Sequence, residues 1–251
     1  MGADGRAPRR EDSSGAALPG RPRDQDPDPH RPPDQEKADR EKADREEPDR
    51  QKADREKAVL RRSVLDRRRR RGTRERAALA GQLRDVVLAA GVLPADGAVA
   101  CYSSRGTEPG TWPLVAALAA QGRRVLLPHT HDGSDGGGVR LGWGVAHGTA
   151  GSPDGPPLPG PDLGPDALAE VVAVLVPALA VDTAGRRLGR GGGYYDRALG
   201  RLVAAGGALP PVVALVHEDE VLDACVEPVP SADHDVRVAH VATASRWRRL
   251  D

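Results

Sequence analysis

Between residues 186 and 196 the chain reads Arg-Arg-Leu-Gly-Arg-Gly-Gly-Gly-Tyr-Tyr-Asp, which gathers three arginines, four glycines and two adjacent tyrosines in one short stretch. Glycines allow φ > 0 and bring backbone N–H groups close to a ligand with no Cβ in the way. Successive N–H groups pointing inward form a nest for an anion, phosphate above all. An apolar run, Val171 to Val176, precedes the stretch and reads as a buried strand, while the residues after it read as a helix. A helix N-terminus adds its free N–H groups and dipole to such a site. Arg187 and Arg190 supply fixed charge with a fork geometry matched to phosphate oxygens.

Two familiar phosphate motifs are excluded by spacing. A Walker loop ends in Gly-Lys-Ser/Thr, and here Gly193 is followed by Tyr194; a dinucleotide fingerprint places glycine five residues after its first, and counting from Gly189 that position is again Tyr194. A glycine-rich surface turn with solvated arginines is the plain alternative.

Other groups capable of chemistry are sparser. The run Arg67 to Arg71 invites a nucleic-acid reading through counterion release, but interleaved aromatics and a zinc or RNA-recognition motif are missing. A solvated or ligand-facing basic helix is the expectation. His129 and His131 form a His-x-His pair without a third ligand at recognisable spacing, so a loop pair is expected rather than a metal site. Cys101 and Cys225 lie far apart and form no redox or metal spacing, which fits a reduced, cytoplasmic setting.

Composition limits what can position these groups. Lys plus Arg and Asp plus Glu each number 37 in 251 residues, so net charge points to no polyanionic or polycationic partner. The chain has no Phe, Ile or Asn, and its core must be built from Val, Leu and Ala. No apolar run approaches the ~20 residues of a membrane span, and the N-terminus has no apolar segment of the kind a secretion signal carries.

Residues 1–55 contain one leucine, no valine, eight prolines and a run of Glu-Lys-Ala-Asp-Arg-type pentads. A five-residue period matches neither 3.6 nor 2 and creates no apolar stripe, so a disordered extension with transient helix is expected. The folded domain is expected over 56–251. It opens with a basic helix carrying Leu60 and Val64, ended by Gly72, with Thr73 capping a second helix whose apolar face holds Leu79, Leu83, Val86 and Val87.

After Pro94 short strands and helices alternate. Ala98 to Tyr102 is a strand, Thr111 to Ala120 a helix, and Val125 to Leu127 a strand closed by Pro128. Further strands are expected at Val139 to Trp143, Val171 to Val176, Val212 to Val216 and Val236 to Val241, with a Pro-Gly-Asp surface loop from Gly148 to Pro165. Strand, loop, helix, strand is the rhythm of a parallel sheet. The fold class is therefore α/β: a mostly parallel open sheet flanked by helices, three-layered and Rossmann-like. Ligands in such sheets sit beyond the carboxyl ends of the strands, which makes Tyr102 to Gly110 a candidate wall of the site.

Asp182 and the unbroken segment Arg187 to Asp196 resemble the signature of the 5-formyltetrahydrofolate cyclo-ligase family. Lys57 to Arg61 is similar to the family's N-terminal Lys-x-x-Leu-Arg, Tyr102 and Glu108 with Thr111 to its Tyr followed by Glu-x-x-Thr, and His234-Asp235 to its His-Asp element. The resemblance spans about residues 57–243. It implies an enzyme that uses ATP and Mg²⁺ to convert 5-formyltetrahydrofolate to 5,10-methenyltetrahydrofolate, releasing ADP and phosphate.

By the same resemblance Arg187, Leu188, Gly189, Arg190, Gly191, Gly192, Gly193, Tyr194 and Tyr195 hold the triphosphate, and Lys57 and Arg61 reach it from the first helix. Arg190 and Tyr194 are the implied catalytic residues. Tyr102, Glu108 and the segment Arg190 to Tyr194 line the folate side, and Asp196 and Asp235 bind Mg²⁺. A cytoplasmic monomer without membrane or nucleic-acid partners is expected.

The chain departs from the family pattern in three places. Glu108-Pro109-Gly110-Thr111-Trp112 stands where many relatives have Glu-x-Asp-Thr-Arg, the Gly-x-Glu-Pro element before the central strand is missing, and His217 replaces an aromatic residue. These departures bear on substrate fit. They keep two competing readings open: a related ATP-dependent ligase acting on another substrate, and a non-catalytic nucleotide- or nucleic-acid-binding module.

Overall fold

The structure is a computed structural model that describes residues 33–94, 96–131, 140–147, 157–206, 209–231 and 235–250, with backbone alone for 33–47 and 49–50. The chain divides into two units, Met1–Pro48 and Asp49–Asp251; the second holds the sheet and the site. Of the expected extension, residues 1–32 lie outside the described residues, as do His234 of the His-Asp element and 148–156 of the expected surface loop.

Helix α1, Pro33–Arg70, includes the pentads and contains Pro48. Among its described side chains, the first apolar one to be fully buried is Val64, four residues after Leu60 and so on the same face. Helix α2, Thr73–Ala89, has Gly72 rather than Thr73 as its N-cap. Thr73 is the first helical residue, because the Gly72 carbonyl already accepts from Arg76 N–H at 3.0 Å. Leu83 and Val87 of α2 are buried.

The strands follow in the expected alternation: β1 (Ala98–Cys101), helix α3 (Trp112–Ala120), β2 (Val125–His131), β3 (Arg140–His147), β4 (Leu158–Pro159), β5 (Val171–Pro177), β6 (Ala180–Asp182), β7 (Arg187–Leu188), helix α4 (Tyr194–Ala204), β8 (Val212–Leu215), β9 (Val221–Leu222), β10 (His240–Ala242) and β11 (Trp247–Arg249). Eight strands form one sheet in the order β11-β10-β8-β5-β1-β2-β3-β4, and β7-β6-β9 form a small second sheet. The pairings from β10 through β8, β5 and β1 to β2 are parallel; the edges β11, β3 and β4 are antiparallel.

Alternation of side chains across the strands produces the three layers. Ala98, Ala100, Val174, Val176, Val212 and Ala214 pack with Leu168, just before β5, and with Leu199 of α4 on one face. Val99, Cys101, Leu175, Val213 and Leu215 pack with Leu83 and Val87 of α2 and Leu114, Val115 and Leu118 of α3 on the other. Among the described residues the buried apolar side chains are Val, Leu and Ala, apart from Cys101, Tyr102 and Trp143, with Tyr195 partly buried beside them.

Strands β4, β6, β7, β9 and β11 go beyond the expected set, β4 falling within the expected surface loop, and β3 runs on past Trp143 to His147. The boundaries of β2 and β10 also differ, each for a visible reason. β2 continues through Pro128, which pairs with Trp143. Trp143 turns its own N–H to Asp162 Oδ1 at 3.0 Å and its carbonyl to Leu163 N–H at 2.7 Å, so no ladder bond is asked of Pro128 and its missing donor costs nothing. The last expected strand, Val236 to Val241, shrinks to β10. Val236 N–H is used by Asp196 Oδ1 and Val238 N–H by the Gly185 carbonyl, which takes both out of the sheet.

Candidate active site

β5, the central strand, ends at Pro177, and the chain then runs through the small sheet before α4 begins. The tight turn between β6 and β7 is organised by Asp182. Its fully buried carboxylate accepts from the N–H groups of Ala184 and Arg186 at 3.0 Å each and from Val229 N–H at 2.9 Å, and it pairs with Arg186 Nε at 2.6 Å. Asp182 and Arg186 therefore build the turn. Leu188 points into the apolar cluster with Val64, Leu179 and Val229, so its side chain supports the loop from beneath and only its backbone belongs to the rim.

Beyond Leu188 the glycines do what their freedom allows. Gly191 has φ 100° and Gly193, the N-cap of α4, has φ 61°, conformations that a Cβ disfavours. No side chain caps α4, and the N–H groups of its first turn have no intrahelical acceptor.

This loop forms one wall of a cavity of about 540 Å³. Of the expected site residues, Tyr102, Glu108, Arg187, Gly189, Arg190, Gly192, Gly193, Tyr194, Tyr195 and Asp196 line it; Lys57, Arg61, Leu188, Gly191 and Asp235 do not. Arg61 stands behind the loop, its Nε donating to the Gly189 carbonyl at 3.0 Å. Lys57 Nζ pairs with Asp235 Oδ2 at 3.2 Å.

Arg187 is nearly buried. Its NH2 donates to Asp196 Oδ1 at 2.6 Å and its NH1 to the Pro177 carbonyl at 3.4 Å, which ties the end of β5 to the start of α4. Its buried Nε has no hydrogen-bond partner, leaving a charged donor unsatisfied within the cavity wall. Arg190 reaches across the cavity to Glu108, Nε to Oε1 at 3.1 Å, and Glu108 Oε2 accepts from Arg105 N–H at 2.9 Å. The cavity thus sets an arginine-glycine face, with α4 behind it, opposite an acid on the β1 exit loop.

Tyr102 is held rigidly, its hydroxyl donating to the Pro109 carbonyl at 2.7 Å. Burial pushes its phenol well above the usual range, and burial does the same for Tyr195, which meets Trp143 edge-on at 6.4 Å. Both phenols are therefore neutral donors at any physiological pH. Burial pushes the Cys101 thiol up to about 12, which removes it as a nucleophile.

Asp196 and Asp235 offer the hard oxygen donors that Mg²⁺ takes. The bond from Val236 N–H to Asp196 Oδ1, 3.3 Å, brings the segment carrying Asp235 against Asp196. Among the described residues no three His, Cys, Asp or Glu side chains gather as a metal cage. An ion here would be held by one or two of these carboxylates, Asp196 now paired with Arg187 and Asp235 with Lys57, together with phosphate oxygens and waters.

Sequence reasoning missed Arg68. Its Nε and NH2 each meet a Glu220 carboxylate oxygen at 2.7 Å, its NH2 also donates to the Ala178 carbonyl at 2.6 Å, and the two side chains are 1% and 0% exposed. Arg67 and Arg71 both pair with Asp219. Much of the basic run is thus committed to the start of the segment after β8. The periodicity held the signal: Arg68 is four residues after Val64 and eight after Leu60, on the buried face. His217 packs beside this pair, its N–H donating to Glu220 Oε2 at 2.8 Å, and burial holds its imidazole below the usual range.

The two histidines lie on β2 rather than in a loop. His129 Nε2 meets the Gly160 carbonyl and His131 Nε2 meets Asp162 Oδ2, each at 2.7 Å, and both hold the strap carrying β4. No described helix is long and apolar enough to cross a membrane.

Residues 53–244 match the sequence profile of the 5-formyltetrahydrofolate cyclo-ligase family. A 5-formyltetrahydrofolate cyclo-ligase of Mycolicibacterium smegmatis is 36% identical over 154 residues, covering 59% of this chain and 74% of that protein. Two solved structures share the architecture. A 5,10-methenyltetrahydrofolate synthetase of Mycoplasma pneumoniae superposes with a TM-score of 0.57 at 17% identity, covering 75% of this chain and 99% of that one, a likeness of fold alone. The 5,10-methenyltetrahydrofolate synthetase of Aquifex aeolicus superposes with a TM-score of 0.56 at 25% identity, covering 77% and 92%. The profile match over most of the chain, the curated relative and the shared sheet agree with the loop and cavity described above, and the chain is an enzyme that belongs to the 5-formyltetrahydrofolate cyclo-ligase family.

Proposed function

We propose that this enzyme converts 5-formyltetrahydrofolate to 5,10-methenyltetrahydrofolate at the expense of ATP, with Mg²⁺. The observation that carries the reading is that one cavity gathers Arg187, Arg190 and the glycine loop opposite Glu108. The formyl oxygen attacks the γ-phosphorus and ADP leaves; N10 then adds to the activated carbon and releases its proton to solvent, and phosphate departs with the former formyl oxygen. Phosphorylation supplies the leaving group that the formamide oxygen lacks.

Such a transfer asks the protein for positioning and charge rather than covalent help. Arg187 and the N–H groups of Gly189 to Tyr195 seat the triphosphate, with Lys57 and Arg61 extending the positive surface along α1. Arg190 stabilises the phosphoryl group in transfer, Tyr194 closes over it, and Glu108 accepts from N–H donors of the pterin while Tyr102 walls the ring. Asp196 and Asp235 would hold Mg²⁺, which when bound spreads the developing phosphate charge. Purified protein with Mg-ATP and 5-formyltetrahydrofolate should generate the near-ultraviolet absorbance of the methenyl product; normal nucleotide binding without that absorbance would sink the substrate assignment.

The enzyme acts as a cytoplasmic monomer in this reading, and residues 1–55 are a passive extension of the domain 56–251. Support comes from the cavity, whose first lining residue among the described ones is Arg68. Deleting residues 1–55 should leave kcat and both KM values within about twofold, the range expected of surface changes remote from a site. A tenfold loss in either would assign the extension a role.

A further inference from the structure

Eight large apolar side chains are exposed among the described residues, and three of them, Trp112 (37%), Leu158 (55%) and Tyr194 (37%), line the one cavity described above. Scattered exposed apolar residues need no explanation, but a group at a cavity mouth marks a surface that a ligand covers. Their seating is rigid. Trp112 opens α3 directly after the buried Thr111, which exchanges two 3.1 Å bonds with Ser104 and donates to the Tyr102 carbonyl at 2.7 Å. Leu158 pairs with His147 in β4, and its strap is held by His129 on the Gly160 carbonyl and by Gly160 N–H on the Val145 carbonyl at 2.8 Å. Apolar surfaces whose backbones are fixed before binding lose little entropy when a flat ligand arrives.

We propose that Trp112 and Leu158 form a clamp for a planar aromatic ring, and that the ring is the benzoyl portion of the reduced folate rather than the adenine of ATP. This rests on the function proposed above. The choice of ring follows from placement. Trp112 stands four residues after Glu108 at the head of the same helix-loop unit, while the phosphate-facing groups belong to the opposing glycine loop.

Titration calorimetry on the full chain tests the clamp, with 5-formyltetrahydrofolate and Mg-ADP measured separately. Trp112→Ala should raise Kd for the folate about tenfold, the scale of one lost stacking surface, and leave Kd for Mg-ADP unchanged. Trp112→Phe should stay within about threefold of the parent, and Leu158→Ala, in the same cavity, should weaken the folate in the same selective way. Unchanged folate affinity in both alanine variants overturns the clamp while leaving the reaction intact, provided the parent enzyme turns over normally. A loss confined to Mg-ADP assigns the surface to adenine and overturns the proposal as well. Failure of the parent enzyme to bind 5-formyltetrahydrofolate would remove the functional reading and the clamp together.

Discussion

Arg190→Ala should lower kcat about a thousandfold, with the fold and the nucleotide affinity largely retained. Arginines that meet charge developing on a transferred phosphoryl group contribute on this scale, because a preorganised cation in a partly dehydrated site needs no rearrangement as the charge forms. The fold should survive because Arg190 is peripheral to it. Its side chain is 54% exposed and its recorded partner is Glu108, and an exposed ion pair of this kind contributes little to stability. Arg190→Lys should recover only part of the rate, since an ammonium restores charge but not the planar fork. Steady-state kinetics on the three proteins, with thermal unfolding as a control, decide the matter; near-parental kcat in the alanine variant would remove this loop arginine from the chemistry.

The largest effect on stability is expected at Glu220. Its replacement by alanine strands the Arg68 guanidinium, 1% exposed, with the Ala178 carbonyl as its remaining acceptor, and leaves the buried His217 N–H without the carboxylate it now uses. Breaking a buried pair on one side costs about 3–5 kcal/mol, a large fraction of the ~5–15 kcal/mol that holds a domain together. At about 2–4 °C per kcal/mol for a domain of this size, the melting temperature should fall by roughly 10 °C. Arg68→Leu combined with Glu220→Leu should recover much of that loss, because two apolar groups leave no charge stranded. Because Arg68 also lines the cavity, the double variant should be stable and yet bind substrate less well. A single variant that melts with the parent would show that the pair is solvated rather than buried.

These two experiments probe different kinds of residue, and the sequence announced one more clearly than the other. Arg190 sits inside a local pattern whose meaning is short-ranged: glycines that permit φ > 0, a following helix, a preceding buried strand. Each of those is written within a few residues of the loop, which is why the loop and the helix after it were legible, although α4 begins at Tyr194, two residues before the stretch ends. Arg68 was read only as part of a basic run, since its partner Glu220 lies 152 residues away. No local periodicity specifies which acid will meet it.

The same distinction runs through the rest of the molecule. Alternating apolar strands and amphipathic helices determined by themselves that this is a mostly parallel α/β sheet, and the types and spacing of residues 187–196 determined that an arginine- and glycine-rich loop precedes a helix. Those conclusions rest on backbone sterics and side-chain periodicity, which act between neighbours. Only the tertiary structure decided that Glu108 faces Arg190 and that Lys57 meets Asp235. It also decided that Pro128 lies within a strand and that Trp112 and Leu158 share a cavity. Each of those depends on strand order and register, where long-range packing selects one partner among many that local chemistry leaves equally eligible.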